Sequence, residues 1–235
     1  MATTSADSGG LARFLREALA PLRTRRLVGP VALLTILLTA SNIVLLLNVP
    51  ARGQLPPPEF LIAALLRVFG LLLIAVAILR LLNHSPRPAW RPDGAFWLFV
   101  LVSLFQLGAS VAAGVAARLF AGRDPVAELV LEGLVTLLLL PLAAWFAAIA
   151  VERPLAWRPG RWLGAFPVWL PHLVLGTVLL TFPIAALHAA IGRHLVAGAG
   201  SWFWPLALLD GPLSVLLVLS GLALASEAYR RVARG

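Results

Sequence analysis

The sequence predicts an all-α integral membrane protein, with six transmembrane helices arranged as three helical hairpins and an N-terminal amphipathic helix at the membrane interface. Three observations lead there. Of the 235 residues, 60% are hydrophobic and only 12% charged, with a mean hydropathy of +0.93, whereas a soluble domain is about half apolar and about a quarter charged. Six apolar stretches each reach the length a helix needs to cross a ~30 Å hydrocarbon core. The 19 basic residues, every one an arginine, sit almost entirely between those stretches.

Residues 1–26 form the first element. Leu11, Phe14, Leu15, Ala18, Leu19 and Leu22 recur at helical spacing, with Arg13, Arg16 and Glu17 on the other side, the pattern of an amphipathic helix lying on the inner leaflet. A cleaved signal peptide has a shorter apolar region close to the terminus, so an uncleaved anchor is expected. The membrane domain, 27–235, then runs through Leu27–Val49 and Phe60–Leu82 (hairpin 27–82), Ala95–Phe120 and Val126–Val151 (hairpin 95–151), and Trp162–Ile191 and Trp202–Tyr229 (hairpin 162–229). With the N-terminus inside, fourteen arginines face the cytoplasm and four the opposite side, with Arg67 left within a span. The positive-inside rule therefore puts both termini in the cytoplasm of a bacterial-type inner membrane.

The tetrapeptide Ala-Trp-Arg-Pro occurs at Ala89–Pro92 after the second span and again at Ala156–Pro159 after the fourth. The chain thus reads as an internal repeat of hairpins, each entered from the cytoplasm through a basic, proline-bearing connection. Tryptophan favours headgroup depth and arginine meets lipid phosphate. Trp90, Arg91, Trp157, Arg158 and Arg161 are therefore candidate headgroup-binding residues, and simple interfacial anchoring is the plainer alternative. Six spans, the N-terminal amphipathic segment and the connection Glu152-Arg153…Trp157-Arg158…Arg161 resemble six-helix bacterial inner-membrane proteins similar to the membrane domain of some glycerophosphodiester phosphodiesterases. The phosphodiesterase domain itself is missing here, so the resemblance implies an envelope or lipid-related role.

An ionised side chain at mid-bilayer costs roughly 2.5–3.5 kcal/mol on insertion scales. Arg67, Glu132 and Asp210 lie at similar positions in the second, fourth and sixth spans, ~10–12 Å from the outer boundary at 1.5 Å per residue, and Glu128 is one turn from Glu132. Arg67, Glu128, Glu132 and Asp210 are a candidate intramembrane cluster. Alternatively Glu132 and Asp210 sit near the outer surface, Asp210-Gly211-Pro212 reading as an N-cap followed by proline in the first turn. Pro167, Pro171 and Pro183, with His172 and His188, predict a kinked or broken fifth span. Asn42 and Gln106 are expected in interhelical hydrogen bonds.

Catalysis is not expected. Gly108-Ala109-Ser110-Val111 lacks the final glycine of the intramembrane serine-protease motif, and no histidine lies on the sixth span to act as base. With no cysteine and four scattered histidines, neither a metal nor another cofactor is implied. The arginines form no nucleic-acid-binding stripe. Membrane lipids are the expected partners, other membrane proteins a further class. The function expected is binding or moving a lipid or small amphiphile, the alternative a structural subunit of a larger membrane complex. The orientation is testable because the chain has no native thiol: cysteines at Ser5, Ser85 and Gly235 should resist an impermeant reagent added outside intact cells, while ones at Gly53 and Gly198 should react. Outside labelling of Ser85→Cys would invert the topology.

Overall fold

The computed structural model describes residues 9–50, 54–121, 125–151 and 166–234. Among the described residues the protein is helical, with no strand. We number the helices α1 (Gly9–Leu19), α2 (Val28–Leu47), α3 (Pro58–Leu82), α4 (Gly94–Ala121), α5 (Pro125–Val151), α6 (Phe166–Gly176), α7 (Phe182–Gly198) and α8 (Phe203–Arg234). A single π-turn, Thr177–Thr181, joins α6 to α7, so that Trp169–Gly198 is one continuous apolar rod. Five helical segments are long and apolar enough to cross a membrane, and a sixth is obtained if the two limbs of α5 count together.

Proline explains both irregularities, through the amide hydrogen it lacks. Pro183 has no N–H for the carbonyl of Leu179, and the wider π-turn immediately before it absorbs the defect without breaking the rod. The fifth span, expected to be kinked or broken, is therefore continuous from Trp169 to Gly198 and carries a π-turn. The break falls instead in α5, whose limbs Gly133–Leu140 and Leu142–Val151 meet at 54° around Pro141.

α8 is the mast of the bundle, touching α1, α2, α3, α5, α6 and α7. Of its apolar window 44% is buried within the protein, against 6% in α4. At one end Phe96 and Phe99 of α4 and the Ala144–Val151 limb of α5 pack with Ala75, Val76 and Leu79 of α3 and Leu224 and Ala228 of α8. At the other end α4 exposes Leu104, Phe105, Val111 and Val115, so the α4–α5 pair is anchored at the end where α1 meets the last turns of α8 and is less covered at the opposite end.

The anchored end is tied by Arg80, 1% exposed at the last turn of α3. Its Nε donates to the carbonyl of Ala150 at 3.0 Å, one terminal nitrogen donates to the carbonyls of Pro88 and Arg91 at 2.9 and 2.8 Å, and the other meets Asp93 Oδ1 at 2.6 Å. One guanidinium thus holds the C-terminus of α5, the loop after α3 and the start of α4. Asp93 also accepts from the Phe96 amide at 3.1 Å, capping α4, and pairs with Arg87 at 3.0 Å. Burial alone would raise the Asp93 carboxyl, but the Phe96 N–H and the charges of Arg80 and Arg87 outweigh it and hold it below the ordinary carboxylate value.

α3 itself ends in a Schellman turn: Ser85 N–H reaches the Arg80 carbonyl at 2.9 Å while His84 takes a positive φ of 50° where glycine is usual. A second tie joins the end of α8 to α1. Glu227, fully buried, pairs with Arg230 at 2.8 Å and Arg231 at 3.3 Å. Arg230 then donates to the carbonyls of Glu17 and Leu82, and Arg231 lies over the Phe14 ring at 4.8 Å.

Arg80→Met should cost about 1–3 kcal/mol, because it removes a buried charge-assisted donor from Asp93 and from the Ala150 carbonyl, while Arg87 and the Phe96 N–H still hold Asp93, read as a fall in detergent melting temperature. A carboxyl whose folded pKa is depressed stabilises above its unfolded value and loses that contribution as pH falls through the folded one. Wild-type stability should accordingly decline below about pH 3.8, the ordinary carboxylate value, and Asp93→Asn should flatten that decline.

Candidate functional site

Asp210 lies about two turns inside α8, which begins at Phe203, so it is no N-cap. It is 3% exposed, in the apolar first half of the helix. Three helices answer it. Asn42 of α2 donates Nδ2–H to Oδ2 at 2.6 Å, His188 of α7 places Nδ1 at 2.6 Å from Oδ1, and Arg67 of α3 donates to Asn42 Oδ1. The Ser214 hydroxyl, one turn along α8, lies 3.4 Å from the same imidazole nitrogen. A carboxylate facing Nδ1 fixes the proton there and leaves Nε2 as the free ring nitrogen. Arg67 and Asp210 therefore interact through the Asn42 amide, whose oxygen takes the cation side and whose NH₂ takes the anion side.

Gly211 is what lets α2 come close enough. A Cβ built there would meet the Thr39 backbone at 3.1 Å and overlap its side chain. Without a side chain at 211, the α2 backbone seats against α8 directly beside Asp210, and Asn42, one turn beyond Thr39, reaches the carboxylate.

Two cavities flank this network. One, about 280 Å³, is lined by Asn42, His188 and Asp210 together with Phe60, Gly192 and Val196. The other, about 420 Å³, lies between α3 and α4 and is lined by Arg67, Ser103, Gln106 and Ser110 with Leu71 and Leu104. Arg67 is half-buried. Among the described residues Asn42 is the acceptor for one of its terminal nitrogens, leaving the other guanidinium donors available to the α3–α4 cleft. A third cavity, about 430 Å³ between α5 and α7, is almost wholly apolar.

Of the residues singled out from sequence, Arg67 and Asp210 belong to one network. The side chains of Glu128 and Glu132 lie outside the described residues, as do Trp157, Arg158 and Arg161. Trp90 is exposed at the anchored end, and Arg91 lines a cleft of about 630 Å³ there with His84, Arg87 and Tyr229. Gln106 and Ser110 both face the α3–α4 cleft.

Asn42 makes the interhelical hydrogen bonds expected of it, but its place between Arg67 and Asp210 and the part of His188 go beyond the sequence reading. Asn42 carried a usable signal, lying seven residues before Val49 just as Arg67 lies seven after Phe60. His188 was hidden by a misplaced boundary: the helix runs to Gly198 rather than Ile191, which lowers His188 to the level of Asp210. Asp210 and His188 are two potential metal ligands, but no group of three converges among the described residues. No family model, curated protein or solved structure matches this chain.

Removing Asp210 strands Arg67, Asn42 and His188 in an apolar setting, so Asp210→Leu should cost about 3–5 kcal/mol. The double variant Arg67→Leu/Asp210→Leu should recover part of that loss, as read from detergent melting temperatures. Gly211→Ala should destabilise through Thr39 without altering any charge. Parent-like melting of all three would show that the network carries no stability.

Proposed function

We propose that this chain is a non-catalytic, multi-pass protein of a bacterial inner membrane that binds or moves a lipid or small amphiphile, whose polar head reaches Arg67 sideways between α3 and α4. The observation that carries this reading is the environment of Arg67. A guanidinium has five N–H donors, and unmet donors at hydrocarbon depth cost several kcal/mol. Arg67 finds Asn42 on one side and a cleft on the other. Ser103, Gln106 and Ser110 line that cleft with it and provide a polar rim, while Leu71, Leu72 and Leu107 suit an acyl chain. The splayed outer half of α4 leaves the entry open to lipid.

The remaining parts of the reading follow the arginine bias and the repeat. The two termini and the connections after α3 and α5 lie in the cytoplasm, and the chain is built of three repeated hairpins. α1 lies at the inner leaflet, held by Phe14 and Ala18 on one face. Trp90 and Arg91, with Trp157, Arg158 and Arg161, meet the inner headgroups, in line with the lipid-related role the resemblance implies. A structural subunit calls for a closely packed interior, so open clefts that reach Arg67 and Asp210 favour the ligand-binding reading.

The test is purification in mild detergent followed by native mass spectrometry of retained lipids. A wild-type protein that retains a defined amphiphile, with Arg67→Leu retaining about tenfold to a hundredfold less, matches the loss of a hydrogen bond to a charged group of about 1.5–3 kcal/mol. Equal retention by both proteins would sink the reading.

A further inference from the structure

The geometry points to an anionic head as the ligand of the α3–α4 cleft, taken up together with one proton that is held by the His188–Asp210 pair. This rests on the reading of Arg67 as a headgroup contact and goes beyond it by fixing the ligand's charge and naming a coupled ion.

Charge balance in an apolar setting is the reason. Among the described residues, the groups that face His188 and Asp210 are Arg67 from α3, Asn42 from α2 and Ser214 from α8 itself. Arg193 and His194 of α7 lie further along, exposed toward its end. Within the network the Arg67 cation and the Asp210 anion balance while His188 is neutral. An anion arriving at Arg67 draws on the charge that Asp210 shares through Asn42 and leaves the site one negative charge in excess. Unbalanced charge is costly at this depth, and the group able to correct it is the imidazole. Its Nδ1–H is engaged by Asp210 at 2.6 Å, so the incoming proton binds Nε2 and the ring becomes an imidazolium against the carboxylate. The proton comes from water reaching the cavity that Asn42, His188 and Asp210 line, on the side of the network away from the α3–α4 cleft. One anion and one proton enter, and the net charge of the site is unchanged.

The sign follows from linkage. The occupied site holds one more proton than the empty one, so affinity for the anion rises as pH falls, by at most about tenfold per pH unit. Short-chain phosphatidylglycerol is a suitable probe, since its phosphodiester keeps a single charge across the range, and short-chain phosphatidylcholine is the zwitterionic control.

The experiment is titration calorimetry of the intact wild-type protein in detergent with each probe, from about pH 8 to about pH 6, in two buffers of different ionisation enthalpy. Expected are tighter binding of phosphatidylglycerol than of phosphatidylcholine, tightening as pH falls, and uptake of up to one proton per lipid. His188→Gln should bring the proton count to zero. The wild-type measurement in two buffers decides the matter even if that variant does not fold. Binding of phosphatidylglycerol with no proton uptake at any pH overturns the coupling and leaves the headgroup reading standing. Equal affinity for the two lipids overturns the anionic assignment. Binding of neither removes the headgroup reading and this inference with it.

Discussion

A carboxylate placed two turns inside an apolar helix has to be satisfied by the protein, because hydrocarbon offers no donor. Asp210 imposes that constraint on the half of the molecule that holds the candidate site. It requires an amide from α2 and an imidazole from α7 to converge on α8, and it requires α2 to approach α8 as closely as Gly211 permits. Asn42, once committed to Asp210 through its NH₂, presents its oxygen to Arg67 and so brings α3 into the same network. Each of these contacts is a single hydrogen bond of modest net worth, but leaving any one unmade in this medium is expensive.

The two ends of the bundle solve the same problem differently. At the end where α1 meets the last turns of α8, Arg80 and Glu227 are buried and fully engaged, one tying α3, α4 and α5 together and the other tying α8 to α1. Their partners are largely backbone carbonyls and adjacent arginines, an arrangement that fixes geometry and leaves little for a ligand. At the opposite end Arg67 has Asn42 on one side and a cleft on the other, and clefts open between α3 and α4 and between α5 and α7 beyond the bend around Pro141. The bundle is thus tied at one end and open in clefts at the other.

The sequence marked Arg67 and Asp210, and what it left unmarked has physical causes. Composition and arginine placement are properties of the membrane as a solvent, so they can be read without tertiary contacts. Arg67 and Asp210 stood out because charge is rare in apolar runs. Arg80 did not stand out, since an arginine near the end of a span is ordinarily a headgroup anchor; here it turns inward, where Asp93 and the Pro88, Arg91 and Ala150 carbonyls converge on it. Glu227 had a local sign in Arg230 and Arg231 at helical spacing, but nothing local showed that α1 would cover it. The proline-rich fifth span looked breakable and is continuous, because a π-turn accommodates a missing N–H at less cost than a break in the bilayer.

The sequence by itself determined the solvent in which this chain folds, the helical class that such a solvent enforces, and the approximate length of each apolar helix. These follow from hydrogen-bond satisfaction within single segments, which is a local matter. Only the tertiary structure decided that Asn42 stands between Arg67 and Asp210, that His188 joins them, and that α8 rather than any hairpin partner organises the bundle. Those outcomes depend on how closely and at what rotation separate helices meet. A glycine against Thr39 and a proline at position 141 set that geometry, and neither residue reveals by its own neighbours which helix it will admit or turn away.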